Sequence, residues 1–272
     1  MSLGIIIYTG KNFDIDTKLP FLKSCVNSVK RQKSGNAELI VLCEAGTEQK
    51  GIIERETGTS VCEFNNLADG INNAIRELEC DKFIISKYNT LYSANSLSDF
   101  SKYNDGESLV FNITCKEKGS SRFVPVFSKV NAENEFTVCP SVWNVLFDKK
   151  TIINNSLGFT DFSYRDQYIF LMNHLVYAKK VVYSDNVYLC IDRALNIKIK
   201  PSDAFYKNNK KAIFRIIKLL KRNRKGVLLS CFIKDFGVPL LRLSCTEKNR
   251  KKRWFYRLYA RKIMNSASGI LR

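Results

Sequence analysis

Four polar residues, Lys87-Tyr88-Asn89-Thr90, follow directly on the apolar run Phe83-Ile84-Ile85-Ser86. Ligands of α/β sheets bind where strands end at their carboxyl edge, so a buried strand that halts in such a cluster points to a site. A lysine there is a good electrostatic partner for a phosphate; the alternative is an ordinary solvated strand end. Asp166 stands three residues after Ser163, a helix-capping signature. Other chemistries are excluded by what is missing. His174 is the only histidine, which removes histidine-based metal sites and His-dependent Ser or Cys triads. Neither G-x-x-x-x-G-K-[ST] nor G-x-G-x-x-G occurs, so a P-loop and the ordinary dinucleotide fingerprint are both absent. The nine cysteines are odd in number and form no C-x-x-C pair, as expected of free thiols in a reducing cytosol.

The elements that must hold this cluster follow in order. Gly4 to Thr9 is a continuous apolar, β-branched run, as in a central parallel strand. Pro20 is expected to open a helix whose inward face is Leu22, Cys25, Val26 and Val29. Glu38 to Cys43 is the second buried strand, followed by a short helix near residues 48 to 56 and a strand at Ser60 to Glu63. An amphipathic helix after Asn65 then leads into Phe83 to Ser86. Strand and helix alternate with short links, so the first hundred residues predict βαβ units in a mainly parallel, nucleotide-binding type of sheet flanked by helices. From Glu107 the texture is β-rich, in SLVFNIT and RFVPVFS, and CPSVWNVLFDKKTIINNS is expected to be helical. A helix over Thr160 to Tyr177 and two short strands, Lys180 to Ser184 and Val187 to Ile191, complete this part.

Charge divides the chain. Residues 1 to 203 hold 24 Lys and Arg against 24 Asp and Glu, whereas residues 204 to 272 hold 20 against 2, so the net charge of +18 belongs to the last quarter. We therefore expect a domain over 1–203 and a helical, basic extension over 204–272. A basic segment on a neutral globule attaches it to something anionic, a phospholipid surface or nucleic acid. In KKAIFRIIKLLKRNRK, Ile213, Ile216, Ile217, Leu219 and Leu220 share one helical side and the cations lie mainly on the other, as in helices of the headgroup layer. Trp254, Phe255, Tyr256 and Tyr259 add aromatics suited to that interface. The alternative is that the apolar face packs on protein. Nothing in the first 200 residues looks like a nucleic-acid module, so no nucleic-acid partner is expected. No signal peptide and no run of about 18 apolar residues is visible, so a cytoplasmic protein, peripheral at the inner face of the membrane, is expected.

In this order the residues resemble the family-2 glycosyltransferases, of GT-A fold, over roughly residues 4 to 200. The match rests on Ser28 and Gln32 for S-x-x-x-Q, on ELIVLCEAGTE against E-I-I-V-V-D-D-G-S-T-D, and on Leu67 to Asn89 against L-A-x-A-L-N through D-x-D. WNVLFDKKTIINNSLGFTDFSYRDQYIF is similar to the W-N-K-L-F, F-x-E and E-D succession of polysaccharide-assembling members. The resemblance implies an enzyme that transfers a sugar, with inversion, from a nucleotide-diphosphate donor, UDP-linked, to a surface polysaccharide or lipid-linked oligosaccharide. Asp166 falls on the family's catalytic base, Asn72 on its asparagine, and Thr9 and Glu44 beside the nucleoside. Trp143 falls on the acceptor side, and Arg193 aligns loosely with an arginine that reaches the diphosphate.

One departure matters. Where the family places the metal-binding D-x-D, this chain has Lys87-Tyr88-Asn89. A lysine is no ligand for a hard divalent cation and one amide oxygen is a poor anchor, so the usual metal motif is absent and no cofactor is expected, with a divalent metal left as the alternative. Lys87, with Asn89, then either attends the diphosphate in the metal's stead, or the fold has kept binding and lost catalysis. Each carried-over residue also has a structural alternative. The alternative for Asp166 is a helix cap, for Glu44 an exposed strand end, for Asn72 a helix residue bonded to local backbone, for Trp143 core, and for Arg193 a surface arginine.

Overall fold

The computed structural model describes residues 3–10, 12–32, 37–46, 48–116, 123–125, 141–191, 214–223, 226, 229, 233 and 237–265. The chain divides into two compact units, Met1–Phe127 with Pro140–Ile197, and Ser128–Cys139 with Lys198–Arg272.

The first unit is built on β1 (Leu3–Tyr8), whose six residues are all buried and which has a strand on each side. On one side β1 pairs in parallel with β2 (Ala37–Glu44), and β2 pairs with β3 (Val61–Phe64); on the other it pairs with β4 (Lys82–Lys87). The crossovers are α1 (Ile15–Lys30), α2 (Gln49–Thr57) and α3 (Leu67–Glu77). These are the expected βαβ units. The helix expected from Pro20 begins five residues earlier, and Pro20 lies inside it. The buried face Leu22, Cys25, Val26 and Val29 outweighs the one backbone bond that a proline forfeits. Gly4 is required by packing, since a Cβ there would meet Cys80 Sγ at 2.5 Å and Leu78 Cδ1 at 2.7 Å.

After β4 the sheet turns antiparallel and mixed. β5 (Thr90–Tyr92) and α4 (Ser96–Phe100) precede β6 (Glu107–Lys116), against which β7 (Phe123–Pro125) pairs. The segment expected to be helical holds instead β8 (Val145–Asp148), inserted between β4 and β6, before the short α5 (Lys149–Asn154). Its four buried residues give no period by which strand and helix could be distinguished. α6 (Tyr164–Tyr177) begins at its Ser163 cap, four residues later than expected. The two expected strands are one, β9 (Lys180–Ile191), in which four residues advance against two of β6 between the pairs Tyr183–Val110 and Val187–Asn112. That bulge is what divides the apolar pattern. The strand order is β3-β2-β1-β4-β8-β6-β9-β5. Cys25, Cys43, Cys62, Cys80, Cys115, Cys190 and Cys245 are free thiols.

In the second unit, residues 214 to 222 are helical and bury Ile216, Ile217 and Leu220 while Arg215, Lys218 and Arg222 are exposed. Three of the apolar residues that the sequence offers to a bilayer, Ile216, Ile217 and Leu220, are thus buried in protein. Helix Val238–Thr246 packs on helix Arg250–Asn265, which buries Tyr256, Tyr259, Ala260 and Ile263, and Phe214 meets Tyr259 at 5.4 Å between ring centres. Among the described residues, no helix is long and apolar enough to cross a membrane.

Candidate active site

The carboxyl edge of the sheet collects the ends of β1, β2 and β4. Tyr8 and Lys87 are cross-strand partners there. The ladder runs on past them, with Thr9 N donating to Leu42 O at 3.0 Å and Tyr88 N to Tyr8 O at 3.2 Å. Thr9 is buried, and Glu44 receives Asn12 N on Oε2 at 3.1 Å. Asn12 has a φ of 53°, so this carboxylate fixes a left-handed turn that few side chains favour.

Lys87 projects its ammonium over the Trp143 ring, 5.1 Å from the centroid. It is half-buried, and loss of hydration alone lowers its pKa below the ordinary 10.5. No carboxylate pairs with it among the described residues. Trp143 is itself held from beneath, its Nε1 donating to the Tyr8 hydroxyl at 3.1 Å. Burial pushes the Tyr8 phenol well above its usual range, against the opposing effect of that bond, so it stays neutral and able to accept. Trp143 thus packs partly on the core and partly faces the ammonium. Asn89 is buried in the turn between β4 and β5.

The loop before α6 forms a second wall. Phe162 meets Tyr8 edge-on at 5.3 Å. Its φ of 50° turns three successive backbone N–H groups, of Thr160, Asp161 and Phe162, onto Asp166 Oδ2 at 2.7, 3.2 and 3.1 Å. Asp166 Oδ1 accepts the Thr160 hydroxyl at 2.7 Å, and the residue is 5% exposed. Ser163 caps the helix by receiving Asp166 N, and Asp161 Oδ1 takes the Ser163 N–H and hydroxyl. Asp166 is therefore also the organiser of its own loop.

Asn72 serves this same loop. Its Nδ2 donates to Phe159 O at 2.8 Å and its Oδ1 accepts Phe159 N at 2.9 Å, which ties α3 to the strand of chain leading into Phe162. Both halves of the amide are occupied by backbone, so Asn72 acts here as a positioning residue. Asn72→Ala leaves both Phe159 groups without this partner and is expected to cost about 1–3 kcal/mol, read as a lower urea midpoint. Ser28 and Gln32 are used similarly. Ser28 Oγ accepts Tyr92 N at 3.1 Å, while Gln32 donates to Ser93 O at 2.5 Å and accepts Leu97 N at 3.3 Å. Together they clamp the end of β5 and the chain after it onto the C-terminal end of α1.

The structure thus brings Thr9, Glu44, Lys87, Asn89 and Trp143 to one edge, with Asp166 and Asn72 in the wall behind Phe162. Arg193 lies outside the described residues. Sequence reasoning missed Tyr8 and Phe162. Tyr8 looks like one more core residue of an apolar strand, and nothing local marks Phe162 as left-handed. A divalent cation does not suit the turn after β4, where the side chains are an ammonium, a phenol and one amide. Among the described residues no group of three or more His, Cys, Asp or Glu side chains is placed to hold a metal.

No protein-family model matches the chain, and no curated relative does. Solved structures do. The chain is similar to residues 1–349 of S. aureus TarS in complex with UDP-GlcNAc, with a TM-score of 0.63 at 14% identity, covering 99% of this chain and 90% of that one. TarS 1–349 without ligand gives 0.67 at 14% identity over 98% and 81%, and its complex with UDP gives 0.62 at 13% over 99% and 90%. The architecture built above from β1 to β9 is accordingly a GT-A-like glycosyltransferase fold.

Proposed function

We propose that this protein is a glycosyltransferase that takes its sugar from a nucleotide-diphosphate donor, UDP-linked, and acts without a divalent metal. The observation that carries the reading is the Lys87 ammonium, half-buried and without a carboxylate partner among the described residues, at the carboxyl edge of a GT-A-like sheet. An unpaired buried charge is costly unless a ligand of opposite sign completes it. A diphosphate is such a ligand, and TarS of the same architecture is known with UDP and UDP-GlcNAc.

Inverting transfer requires a base, a stabilised leaving group and an aligned donor. The acceptor hydroxyl oxygen bonds to C1 of the sugar while the bond from C1 to the phosphate oxygen breaks and its electron pair departs with the nucleoside diphosphate. The hydroxyl proton passes to Asp166, whose Oδ1 carries one hydrogen bond against three on Oδ2. Lys87 and Asn89 meet the charge growing on the diphosphate, Thr9 and Glu44 border the nucleoside, and Trp143 offers its ring on the acceptor side. The acceptor is a surface polysaccharide or a lipid-linked oligosaccharide, reached at an anionic membrane surface through the segment 204–272.

A second reading is a catalytically silent partner protein that binds a nucleotide or glycan. What favours it is Asp166, 5% exposed with both oxygens engaged by its own loop. Thermal unfolding and donor turnover in EDTA separate the two. The transferase reading expects a UDP-sugar to raise stability by about 2.7 kcal/mol at a hundredfold excess over Kd, with turnover that survives EDTA and falls in Asp166→Asn. Stabilisation by nucleotide with no turnover of any donor, with or without added metal, would establish the silent partner instead.

A further inference from the structure

We infer that the outward face of helix Arg250–Asn265 is the surface that docks on an anionic phospholipid bilayer. This deepens the preceding reading, since it rests on a transferase whose acceptor lies at a membrane, and it moves the contact away from residues 213–220.

The residues of this helix are sorted by a 3.6-residue period. Tyr256, Tyr259, Ala260 and Ile263 are buried. On the opposite side Trp254 is 67% exposed and Leu258, one turn away, 37%, so that the two are neighbours on the surface. Arg250, Lys251, Arg257, Arg261 and Lys262 surround them, all exposed. The helix holds seven Lys and Arg and no acid. A groove of about 890 Å³ along its first two turns is lined by Arg250, Lys251, Arg253, Trp254, Phe255 and Arg257, offering space beside the indole for a headgroup phosphate.

Three occupants compete for such a face. A second copy of the chain is disfavoured because it would bring seven cations against seven. Nucleic acid would use the cations and the indole, but it leaves Leu258 and Met264, 39% exposed, in water. A bilayer takes both, because its phosphates accept the cations and the boundary beneath them accepts indole and aliphatic side chains. The sequence had grouped Trp254 with Tyr256 and Tyr259. The fold separates them, with Trp254 facing outward and the two tyrosines buried in the second unit.

The test uses the full chain sedimented with vesicles of phosphatidylcholine alone or of phosphatidylcholine with phosphatidylglycerol. Binding is expected to the mixed vesicles only, to weaken with added salt, and to fall about tenfold or more in Trp254→Ala and in the double variant Arg257→Ser, Arg261→Ser. These side chains are exposed, so the variants keep their melting temperature. Unchanged retention of Trp254→Ala, equal binding to neutral vesicles, or no binding by the parent chain overturns the proposal. So does displacement by an oligonucleotide that itself binds in a Trp254-dependent manner. Stabilisation by UDP, measured on the same samples, reports on the transferase reading separately. Its absence beside intact vesicle binding supports this surface and counts against that reading, and its presence without vesicle binding does the reverse.

Discussion

Lys87→Met is expected to lower the transfer rate by about 10²–10³-fold while leaving the melting temperature unchanged or slightly raised. The rate effect follows from the place that the proposed mechanism gives the ammonium, since removing one preorganised group from a site of developing charge costs about that factor. The stability effect follows from burial. Lys87 is held with its pKa below 10.5 by desolvation, so the fold works against its charged form, and a methionine keeps the stem packed on Trp143 without that cost. Activity should also fall as pH rises through the lowered pKa of Lys87, at a lower pH than for an ordinary lysine, whereas a metal-dependent site would show no such limb of lysine origin. Initial rates of the parent chain and of Lys87→Met and Lys87→Arg across alkaline pH decide this. Full turnover in Lys87→Met would remove Lys87 from the chemistry.

The largest stability effect is expected at the opposite end of the same strand. Lys82 and Asp148, cross-strand partners on β4 and β8, are each 1% exposed and lie 2.9 Å apart. Lys82 also donates to Glu107 O, and Asp148 accepts from Gly106 N at 2.9 Å and from both the N–H and the hydroxyl of Thr151. The burial of the Asp148 carboxyl would raise its pKa, but these bonds outweigh it and lower it to about 2. Lys82→Met or Asp148→Asn strands one buried member of this network and is expected to cost about 3–5 kcal/mol, with the double variant costing less than the sum of the two. Denaturant unfolding of the four proteins measures it.

His174 lies beside this network and shapes its acid response. It is fully buried, its Nε2 bonded to Ser108 Oγ at 2.7 Å, and burial lowers its pKa to about 3. The unfolded chain therefore binds a proton near pH 6.5 that the folded chain refuses until about pH 3. Stability is complete above pH 6.5 and declines by about 1.4 kcal/mol per unit as pH falls through that window. Asp148 adds its own loss only between about 3.8 and 2. Because the chain has a single histidine, His174→Gln should flatten the upper part of the decline.

In the parallel half of the sheet β1 and β4 were legible because they are buried on both faces and so appear as unbroken apolar runs. β8 was not, since its four residues, all buried, carry no period. In the site, Lys87 and Asn89 stood out as the polar stop of an apolar strand. The partners that give them meaning did not, because Trp143 reaches Tyr8 across 135 positions and Asn72 reaches Phe159 across 87. Asp166 was visible as one half of a capping pattern. That its carboxylate gathers three backbone N–H groups depends on the left-handed Phe162, which residue type does not announce.

Those two long bonds also bear on the order of folding. A contact spanning 87 or 135 positions closes only after the intervening chain has collapsed, since its loop entropy must first be offset by nearer contacts. The expected order is that the parallel core assembles from neighbours in sequence and the cleft closes last, when the segment after β8 docks on α3 and Tyr8. A substitution in either bond would then hasten unfolding while leaving the refolding rate nearly untouched. On this order an edge able to hold a nucleotide would form only with that final docking.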